Sequence, residues 1–527
     1  MSAAVSTQNF FSAKSTLSSQ CAFYLYKKQM GLLKFKLPDT RSLLRCESFL
    51  LRLTEKRSCI LRQLSGSWSE EMGYWRLLKN VKVSISWLID WVLNRCQEQF
   101  EVCGRHILSI QDSSSIGFHL RGSQKRGLSC VGTVGNCPGF IVHSNLLLDA
   151  QDGRCLGLGA LSIHDQWISQ GSAYEMRHVE CGEKKTGRWL ESGKSARSFL
   201  HSAQTITHIA DREADFYEML LEFGQNHQAN EHLIVRVNDD RLLGHMEARG
   251  KAKHGGKAHE QVQTLENGQN IEMSFPYRSL LSEVVEALPL QGNWCIDLPQ
   301  TAKRQARQAT VALRFMSKVP IRRPTKLFKR TYEGKPLPFF IYVNVIDLVE
   351  IMPDDATYAP LHWRIYTSHP VNSVEQAQQV IIWYGWRWKI ELLFATVKSS
   401  GLNLENALVE YGDKLKKLAI FVLMAAIKTI QLLQARDGQS QQIITECFSQ
   451  QDTELIQALN PKLEGNTQKQ KNPYHPQSLA FATWVMARLG GWKGYKSHRP
   501  PGIKTIARGL MEFYNLKQAK KMFDNSV

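Results

Sequence analysis

Two aspartates in this sequence follow short apolar segments that have the composition of buried β-strands. Asp112 comes directly after residues 106–111, and Asp211 comes directly after residues 206–210. Both carboxylates are therefore predicted at strand ends. One such aspartate alone is better explained as a turn or helix cap. Two of them in a basic protein indicate a pair of ligands for Mg²⁺, which prefers oxygen donors.

A third carboxylate, Glu391, belongs to the segment of the chain that most resembles a helix. Ser373, with Gln376 three residues later, has the pattern of a helix N-terminus. The predicted helix begins at residue 374 and runs to about residue 399. Glu391 is therefore predicted in the second half of a long helix.

Four polar side chains share one face of this predicted helix. Tyr384, Arg387, Glu391 and Lys398 are separated by 3, 4 and 7 residues. At about 100° per residue these steps keep all four in one narrow stripe. A carboxylate between two cations suits a metal ion beside a phosphodiester, with Glu391 on the metal and the cations on phosphates. A solvent-exposed face could also carry these residues by chance.

The elements predicted around these residues form a three-strand meander followed by alternating helices and strands. This order is typical of an α/β domain with a mixed sheet flanked by helices. Helical periodicity then weakens, and a β-rich insertion is predicted at about residues 238–365. Helical patterns predict an N-terminal domain at residues 1–103 and a C-terminal domain at residues 431–527. The strands predicted outside the insertion are residues 106–111, 140–148, 155–163, 206–210 and 232–237, and the helices are residues 187–204 and 213–223.

The composition of the chain indicates a basic, soluble protein. Its 527 residues carry a formal net charge of +18, with 66 Lys and Arg against 48 Asp and Glu. This excess is larger than solubility needs and favours a polyanionic partner, above all nucleic acid.

The 11 cysteines form no C-x-x-C pair, which argues against a disulfide framework or a zinc ribbon. The longest apolar run, residues 418–427, is shorter than the roughly 20 residues that span a bilayer, so a buried core helix is predicted. We see no signal-peptide pattern and expect a cytosolic protein.

The motifs together resemble one known family. The spacing Tyr384-x-x-Arg387-x-x-x-Glu391-x₆-Lys398 is similar to the signature of the insertion-sequence-four family of bacterial transposases. The resemblance extends from about residue 66 to about residue 510, and the residues before it match poorly. Further segments that resemble family motifs are Asp112-Ser-Ser-Ser, Asp211-Arg-Glu-Ala-Asp215, Ile234-Val-Arg236, Trp363-Arg-Ile-Tyr-Thr-Ser368 and Ala487-Arg-Leu-Gly-Gly491.

The resemblance implies a fold and a chemistry. It implies an RNase H-like catalytic domain at residues 104–430, interrupted by the β-rich insertion. Asp112, Asp211 and Glu391 would hold two Mg²⁺ ions, for which Mn²⁺ can substitute. In the family, such a site cuts the transposon ends by hydrolysis, forms a DNA hairpin and joins the freed end to target DNA. This is cut-and-paste transposition by a DDE transposase.

The resemblance also implies which side chains contact DNA. Trp363 would stack on a base flipped out of the hairpin, while Tyr384 and Arg387 bind the neighbouring phosphates. Arg236 matches an arginine that contacts DNA in the family. The simpler interpretations are a strand tryptophan in the core and a surface salt bridge. For Trp386 and Trp388 the sequence leaves core packing and DNA contact equally open.

The expected partners are double-stranded DNA and a second copy of the chain. The N-terminal domain would bind the terminal inverted repeats, and the C-terminal domain would form a homodimer in a synaptic complex with target DNA. No membrane partner is expected, and the expected location is the bacterial cytoplasm, at the nucleoid. Two alternatives remain open. One is a nuclease of the same fold that cuts without joining, and the other is a domesticated, non-catalytic DNA-binding protein.

Overall fold

The described part of the chain folds around one large mixed β-sheet flanked by helices, which confirms the predicted class. The first 38 residues of the predicted N-terminal domain lie outside the described residues. The computed structural model describes residues 39–99, 102–118, 125–131, 137–165, 184–244, 259–275, 279–298, 307–352, 359–495 and 499–524.

Most of the described strands belong to this sheet, which has ten strands. In chain order the strands are β1 (His106–Gly117), β2 (Ser129–Val131), β3 (Cys137–Asp149), β4 (Cys155–His164), β5 (Thr205–Ala210), β6 (Glu231–Arg236), β7 (His259–Thr264), β8 (Asn270–Phe275), β9 (Gly292–Leu298), β10 (Arg307–Arg322), β11 (Thr331–Tyr332), β12 (Lys335–Pro336), β13 (Phe340–Glu350) and β14 (His362–Thr367).

The strand order within the sheet is β2-β3-β1-β5-β6-β14-β13-β10-β9, and β4 also pairs with β3. β1 is parallel to β5 and β5 is parallel to β6, whereas the other pairs in the sheet are antiparallel. The predicted meander is confirmed as β1, β3 and β4. Its second turn contains Gly153 at φ 71°, a backbone conformation that favours glycine.

Helices begin where the sequence supplies side-chain caps. The predicted cap of the long helix is confirmed, because Ser373 Oγ accepts a hydrogen bond from the backbone N–H of Gln376. Among the described residues, the α-helices of four or more residues are α1 (Thr40–Lys56), α2 (Leu61–Leu64), α3 (Trp68–Lys79), α4 (Ile85–Gln99), α5 (Gly187–Phe199), α6 (Leu281–Ala287), α7 (Val374–Gly385), α8 (Trp388–Ala395), α9 (Gly412–Ala435), α10 (Gln450–Leu463), α11 (Leu479–Leu489) and α12 (Ile503–Asp524).

Side chains of β1 point alternately to helices on the two faces of the sheet. On one face, Ser113 accepts a hydrogen bond from Arg188 of α5, and Gln111 lies close to Gly193 of the same helix. On the other face, Asp112 contacts Arg387, which directly precedes α8. The sheet therefore presents Asp112 to the long helical segment that carries Glu391.

Much of the segment predicted as a β-rich insertion, residues 238–365, extends the central sheet. β14 pairs with β6, and β13, β10 and β9 follow in turn. The hairpins β7–β8 and β11–β12 stand outside the sheet. Apolar residues of β10 and β13 are buried along most of their length, which is typical of central strands covered on both faces. The predicted domain boundaries stay predictions.

The predicted core helix is confirmed as α9, which is longer than the apolar run in the sequence. Its length and composition would allow it to cross a membrane, but 89% of its apolar window is buried inside the protein. It packs against α1, α4, α11, α12 and β4. Such burial is typical of the central helix of a soluble protein.

The prediction of one continuous helix up to residue 399 is wrong in its middle. α7 ends at Gly385 and α8 begins at Trp388, with a final π-helical turn at Thr396–Ser400. Between them the N–H of Arg387 donates to the carbonyl of Tyr384 at 3.0 Å. This three-residue spacing tightens the helix, and the low helix propensity of Gly385 favours the break.

Three histidines pack together near the start of β1. The rings of His232 and His369 stack with centroids 3.9 Å apart. The hydroxyl of Thr207 lies 2.8 Å from Nε2 of both His106 and His369. Burial, reinforced by the charge of neighbouring histidines, lowers the pKa of His106 and His232 to about 4 and that of His369 to about 2. The three imidazoles are therefore neutral in the folded protein at neutral pH.

We expect acid to destabilise the protein through this cluster. The folded-state pKa values lie below the ordinary value of 6.5, so the stabilisation is complete above that pH. As the pH falls, protons bind the unfolded chain first, and the free energy of unfolding should drop by about 1–2 kcal/mol per histidine between about pH 7.5 and about pH 5. Chemical denaturation at both pH values measures this loss.

The variant His369→Gln should lose correspondingly less stability than the wild type over the same interval. His201 is exposed, so the matched control His201→Gln should show the full wild-type loss. An unchanged pH dependence in His369→Gln would contradict the assignment of this loss to the histidine cluster.

Candidate active site

Strand register brings Asp112 and Asp211 next to each other. β1 and β5 pair in parallel, with Ile110 opposite Ile209. The same offset, continued by two residues, places Asp112 opposite Asp211, which follows the last residue of β5. Asp211 is thus at a strand end, as predicted. Asp112 is not, because β3 pairs with β1 as far as Gly117 and keeps that strand extended.

One guanidinium, that of Arg387, lies among the three predicted catalytic carboxylates. Its Nη1 is 3.3 Å from Oδ2 of Asp112, and its Nη2 is 3.6 Å from Oδ2 of Asp211 and 2.9 Å from Oε1 of Glu391. Glu391 follows Arg387 by one helical turn, the spacing that lets side chains on a helix meet. Side chains from β1, from the end of β5 and from α8 therefore converge on one point.

Tyr384 completes this cluster from the last turn of α7. Its hydroxyl donates a hydrogen bond to Oδ1 of Asp211 at 3.2 Å. Burial, together with the charge of Asp211, raises the pKa of Tyr384 to about 12. The phenol therefore stays protonated at neutral pH and remains a hydrogen-bond donor at the edge of the cluster.

The carboxylates are short of positive charge even with Arg387 between them. Burial raises the pKa of Asp112 to about 6, and the charges of Glu391 and Asp211 add to the rise, against the Ser113 N–H and Arg387. Burial and the charge of Asp211 also raise the pKa of Glu391, against Arg387. A cation placed here would gain free energy by neutralising this repulsion.

The donor set fits a hard divalent cation such as Mg²⁺. It consists of carboxylate oxygens on a strand, a strand end and a helix, with side-chain exposures of 22%, 32% and 35% that leave the oxygens accessible. Within the described residues, no three His, Cys, Asp or Glu side chains form a ready-made metal site. The three carboxylates lie around the guanidinium of Arg387, and this group provides positive charge between them.

Trp363 and Arg236 lie beside Tyr384. The ring of Trp363, a partly buried residue of β14, meets the ring of Tyr384 edge to face at 5.2 Å. Arg236 ends β6 opposite Ile365 and donates from Nη2 to the carbonyl of His362 at 3.2 Å. Among the described residues, no carboxylate forms a salt bridge with Arg236, so the simpler interpretation from the sequence does not apply there. Both predicted DNA contacts thus border the cluster.

Lys398 is not brought into the cluster. It lies half-buried on the π-helical turn after α8, and the described residues place none of the three carboxylates in an ion pair with it. Burial lowers its pKa, against the charge of Glu405. The break after Gly385 and the wider π turn rotate Lys398 away from the straight stripe expected of a regular helix.

The structure distinguishes Trp386 from Trp388, for which the sequence left both core packing and DNA contact possible. Trp386 is partly buried against the core and contacts the turn at Gly153, with the ammonium of Lys389 4.8 Å from its ring centroid. Trp388 is 53% exposed beside Arg387. Trp386 therefore has a packing role, whereas much of Trp388 is exposed to solvent.

A second network, which the sequence did not reveal, supports the cluster from the other face of β1. Arg188 of α5 donates from Nε to Ser113 Oγ at 2.8 Å and from Nη2 to Glu213 at 2.8 Å. Ser113 also lies 2.8 Å from Nδ1 of the buried His143. Arg188 thus ties β1 to the turn after β5, next to both aspartates. No motif in the sequence marks Arg188 for this role, because an arginine is common in helices.

No protein-family model matches the chain. The resemblance to the insertion-sequence-four family therefore rests on the motifs themselves.

Proposed function

We propose that this chain is a DNA transposase of the DDE class that catalyses cut-and-paste transposition of an insertion sequence. The observation that carries the proposal is the convergence of Asp112, Asp211 and Glu391 on Arg387, with Tyr384 at the edge. These five residues come from three separate segments of the chain, and all belong to the motifs that resemble the family. Structural packing alone does not require three carboxylates on one guanidinium.

The topology supports an RNase H-like catalytic domain. The part of the sheet in the order β4-β3-β1-β5-β6 contains an antiparallel meander followed by two strands parallel to the first. That is the arrangement we expect of this fold, with Asp112 on the first strand and Asp211 after the fourth. The regular pairing of β1 with β5 ends at Ile110 and Ile209, two positions before Asp112 and Asp211.

Asp112, Asp211 and Glu391 would hold the divalent ions, Mg²⁺ or Mn²⁺. Bound ions would activate a water or a DNA 3′-hydroxyl and stabilise the leaving oxygen of the phosphodiester. Arg387 supplies part of the positive charge that the three carboxylates need, and a guanidinium beside the ions could also bind a DNA phosphate. The Tyr384 hydroxyl, held protonated, can donate a hydrogen bond to a second phosphate oxygen.

The remaining roles follow from the surroundings of the cluster. Trp363 is held against Tyr384 and offers a partly exposed indole on which a base can stack. Arg236 has a guanidinium available for a phosphate. The net charge of +18 favours a DNA partner. We further propose a homodimer that pairs two transposon ends, in the bacterial cytoplasm, with Lys398 as an additional phosphate contact once DNA is bound.

The experiment uses the DNA that flanks the gene. Purified protein is incubated with Mg²⁺ and end-labelled duplexes carrying that DNA, and the products are separated on denaturing gels. We expect nicked, hairpin and joined products in that order of appearance. Nicked product alone would favour a nuclease that cuts without joining, and binding without any cleavage would favour a non-catalytic DNA-binding protein. Either result would overturn the proposal.

A further inference from the structure

A basic and aromatic turn follows β10, outside the carboxylate cluster. Residues 322–335 contain six Lys and Arg and a single acid, Glu333. We call residues 322–330 with Phe339 the basic ridge. Phe328 at its tip is 66% exposed. A large apolar ring surrounded by cations on a surface is unusual for a region whose only role is solubility.

The ridge is held in place by contacts between guanidinium groups and aromatic rings. Arg323 lies between two rings, 5.2 Å from the centroid of Phe328 and 5.8 Å from that of Phe339. Arg322 lies 5.2 Å from the centroid of Phe339. Arg323 also donates to the carbonyl of Leu337. These contacts cover one face of the Phe328 ring and leave most of the side chain in water.

The two lysines at the tip of the ridge, Lys326 and Lys329, are not paired with acidic side chains in the described part of the chain. Lys326 and Lys329 are exposed, and within the described residues neither forms an ion pair or a hydrogen bond. The backbone N–H of Phe328 donates to Thr325 at 3.1 Å, which orders the turn. The ridge thus offers an ordered aromatic ring with free positive charge on both sides of it in sequence.

The ridge borders the segment that follows Asp211. Pro324, Lys326 and Leu327 line a cavity of about 410 Å³ together with Asp215 and Phe216. Two of the acids in this cavity are paired with arginines: Asp215 with Arg241 at 2.6 Å, and Glu218 with Arg330 of the ridge at 2.8 Å. The ridge is therefore next to residues 215–218, which follow Asp211 closely in the chain.

We propose that the basic ridge binds single-stranded DNA, with a base stacked on Phe328 and phosphates bound by Lys326 and Lys329. A row of cations with an exposed ring is the combination that recognises an unpaired strand, because every base has a flat face and every nucleotide a phosphate. The inference rests on the proposed function only in taking DNA as the partner. It adds a binding site for an unpaired strand, separate from the site of cleavage.

The test measures the affinity of the full-length protein for a fluorescein-labelled oligothymidylate about 12 nucleotides long. Anisotropy titrations in EDTA at several salt concentrations keep the measurement independent of cleavage. We expect Phe328→Ala to weaken binding about tenfold without changing the salt dependence. The double variant Lys326→Gln, Lys329→Gln should reduce the slope of log K against log salt by about 1.4.

The C-terminal helix α12 offers matched controls. Phe523 is 75% exposed and follows Lys520 and Lys521, but no guanidinium stacks on its ring in the described structure. Phe523→Ala and the double variant Lys520→Gln, Lys521→Gln should leave affinity and salt slope at wild-type values. Equal losses at the two sites would overturn the proposal, as would an unchanged affinity of Phe328→Ala.

The outcome is distinguishable from a failure of the proposed function. If Phe328→Ala binds the oligonucleotide normally while the wild type cuts and joins flanking DNA, the ridge proposal alone fails. If the loss on Phe328→Ala appears equally with a fully paired duplex as the ligand, the ridge recognises paired DNA and the proposal of a single-strand site is wrong.

Discussion

Replacing Glu391 with glutamine is expected to lower the rate of cleavage of flanking DNA by about 10³-fold or more. The amide keeps the size of the side chain and a contact with Arg387, which now lies 2.9 Å from Glu391 Oε1. It removes one of the three negative charges that would hold the divalent ions. Cleavage is measured in single-turnover reactions with protein in excess, so that product release does not mask the chemical step.

The same variant should bind DNA nearly as well as the wild type, within about twofold, because affinity for DNA rests mainly on cations that face phosphates. Glu375, an exposed residue in the first turn of α7, provides the matched control Glu375→Gln, which should cleave normally. A second readout does not depend on activity. Mg²⁺ should raise the thermal midpoint of Glu391→Gln less than that of the wild type. Near-normal cleavage by Glu391→Gln would refute the assignment of the carboxylates.

Replacing Arg387 with alanine is expected to destabilise the metal-free protein by about 1–3 kcal/mol. Removing the guanidinium leaves Asp112, Asp211 and Glu391 close together without a compensating charge. The range lies below that for a fully buried ion pair, because the carboxylate side chains are 22–35% exposed. Denaturant unfolding in EDTA measures the loss.

Magnesium should restore more stability to Arg387→Ala than it adds to the wild type, because in the wild type the ion competes with the guanidinium for the same oxygens. Arg387→Lys should recover only part of the loss, since one ammonium cannot bridge three carboxylates as a guanidinium does. Arg212 is exposed next to Asp211, and Arg212→Ala should leave stability unchanged. If Mg²⁺ stabilises Arg387→Ala no more than the wild type, the ion does not share the site of the guanidinium.

Local patterns in the sequence were sufficient for much of the fold. The helix cap at Ser373 and the buried strands β1 and β5 each depend on residues close in sequence. Caps, turns and side-chain periodicity act over a few residues, so they can be recognised without knowing the partners of a segment. The excess of positive charge was likewise visible from composition alone.

Other features required the tertiary structure. The extension of the sheet by β9, β10, β13 and β14 was not predicted, because the pattern of a β-strand does not indicate which other strand it pairs with. The break at Gly385 was not predicted, because a single glycine inside a helical pattern is often tolerated and does not by itself mark the end of a helix. The basic ridge could be seen as a charge run, but its ordered contacts between Arg323 and two phenylalanines could not.

The sequence by itself determined which carboxylates to consider: Asp112, Asp211 and Glu391 stood out by their positions and by the residues beside them. Only the tertiary structure decided that they meet. The register of β1 on β5 aligns the two aspartates, and the tightened turn before α8 directs Arg387 among all three. Register and helix packing are set by contacts between residues far apart in the chain, and local patterns do not encode them.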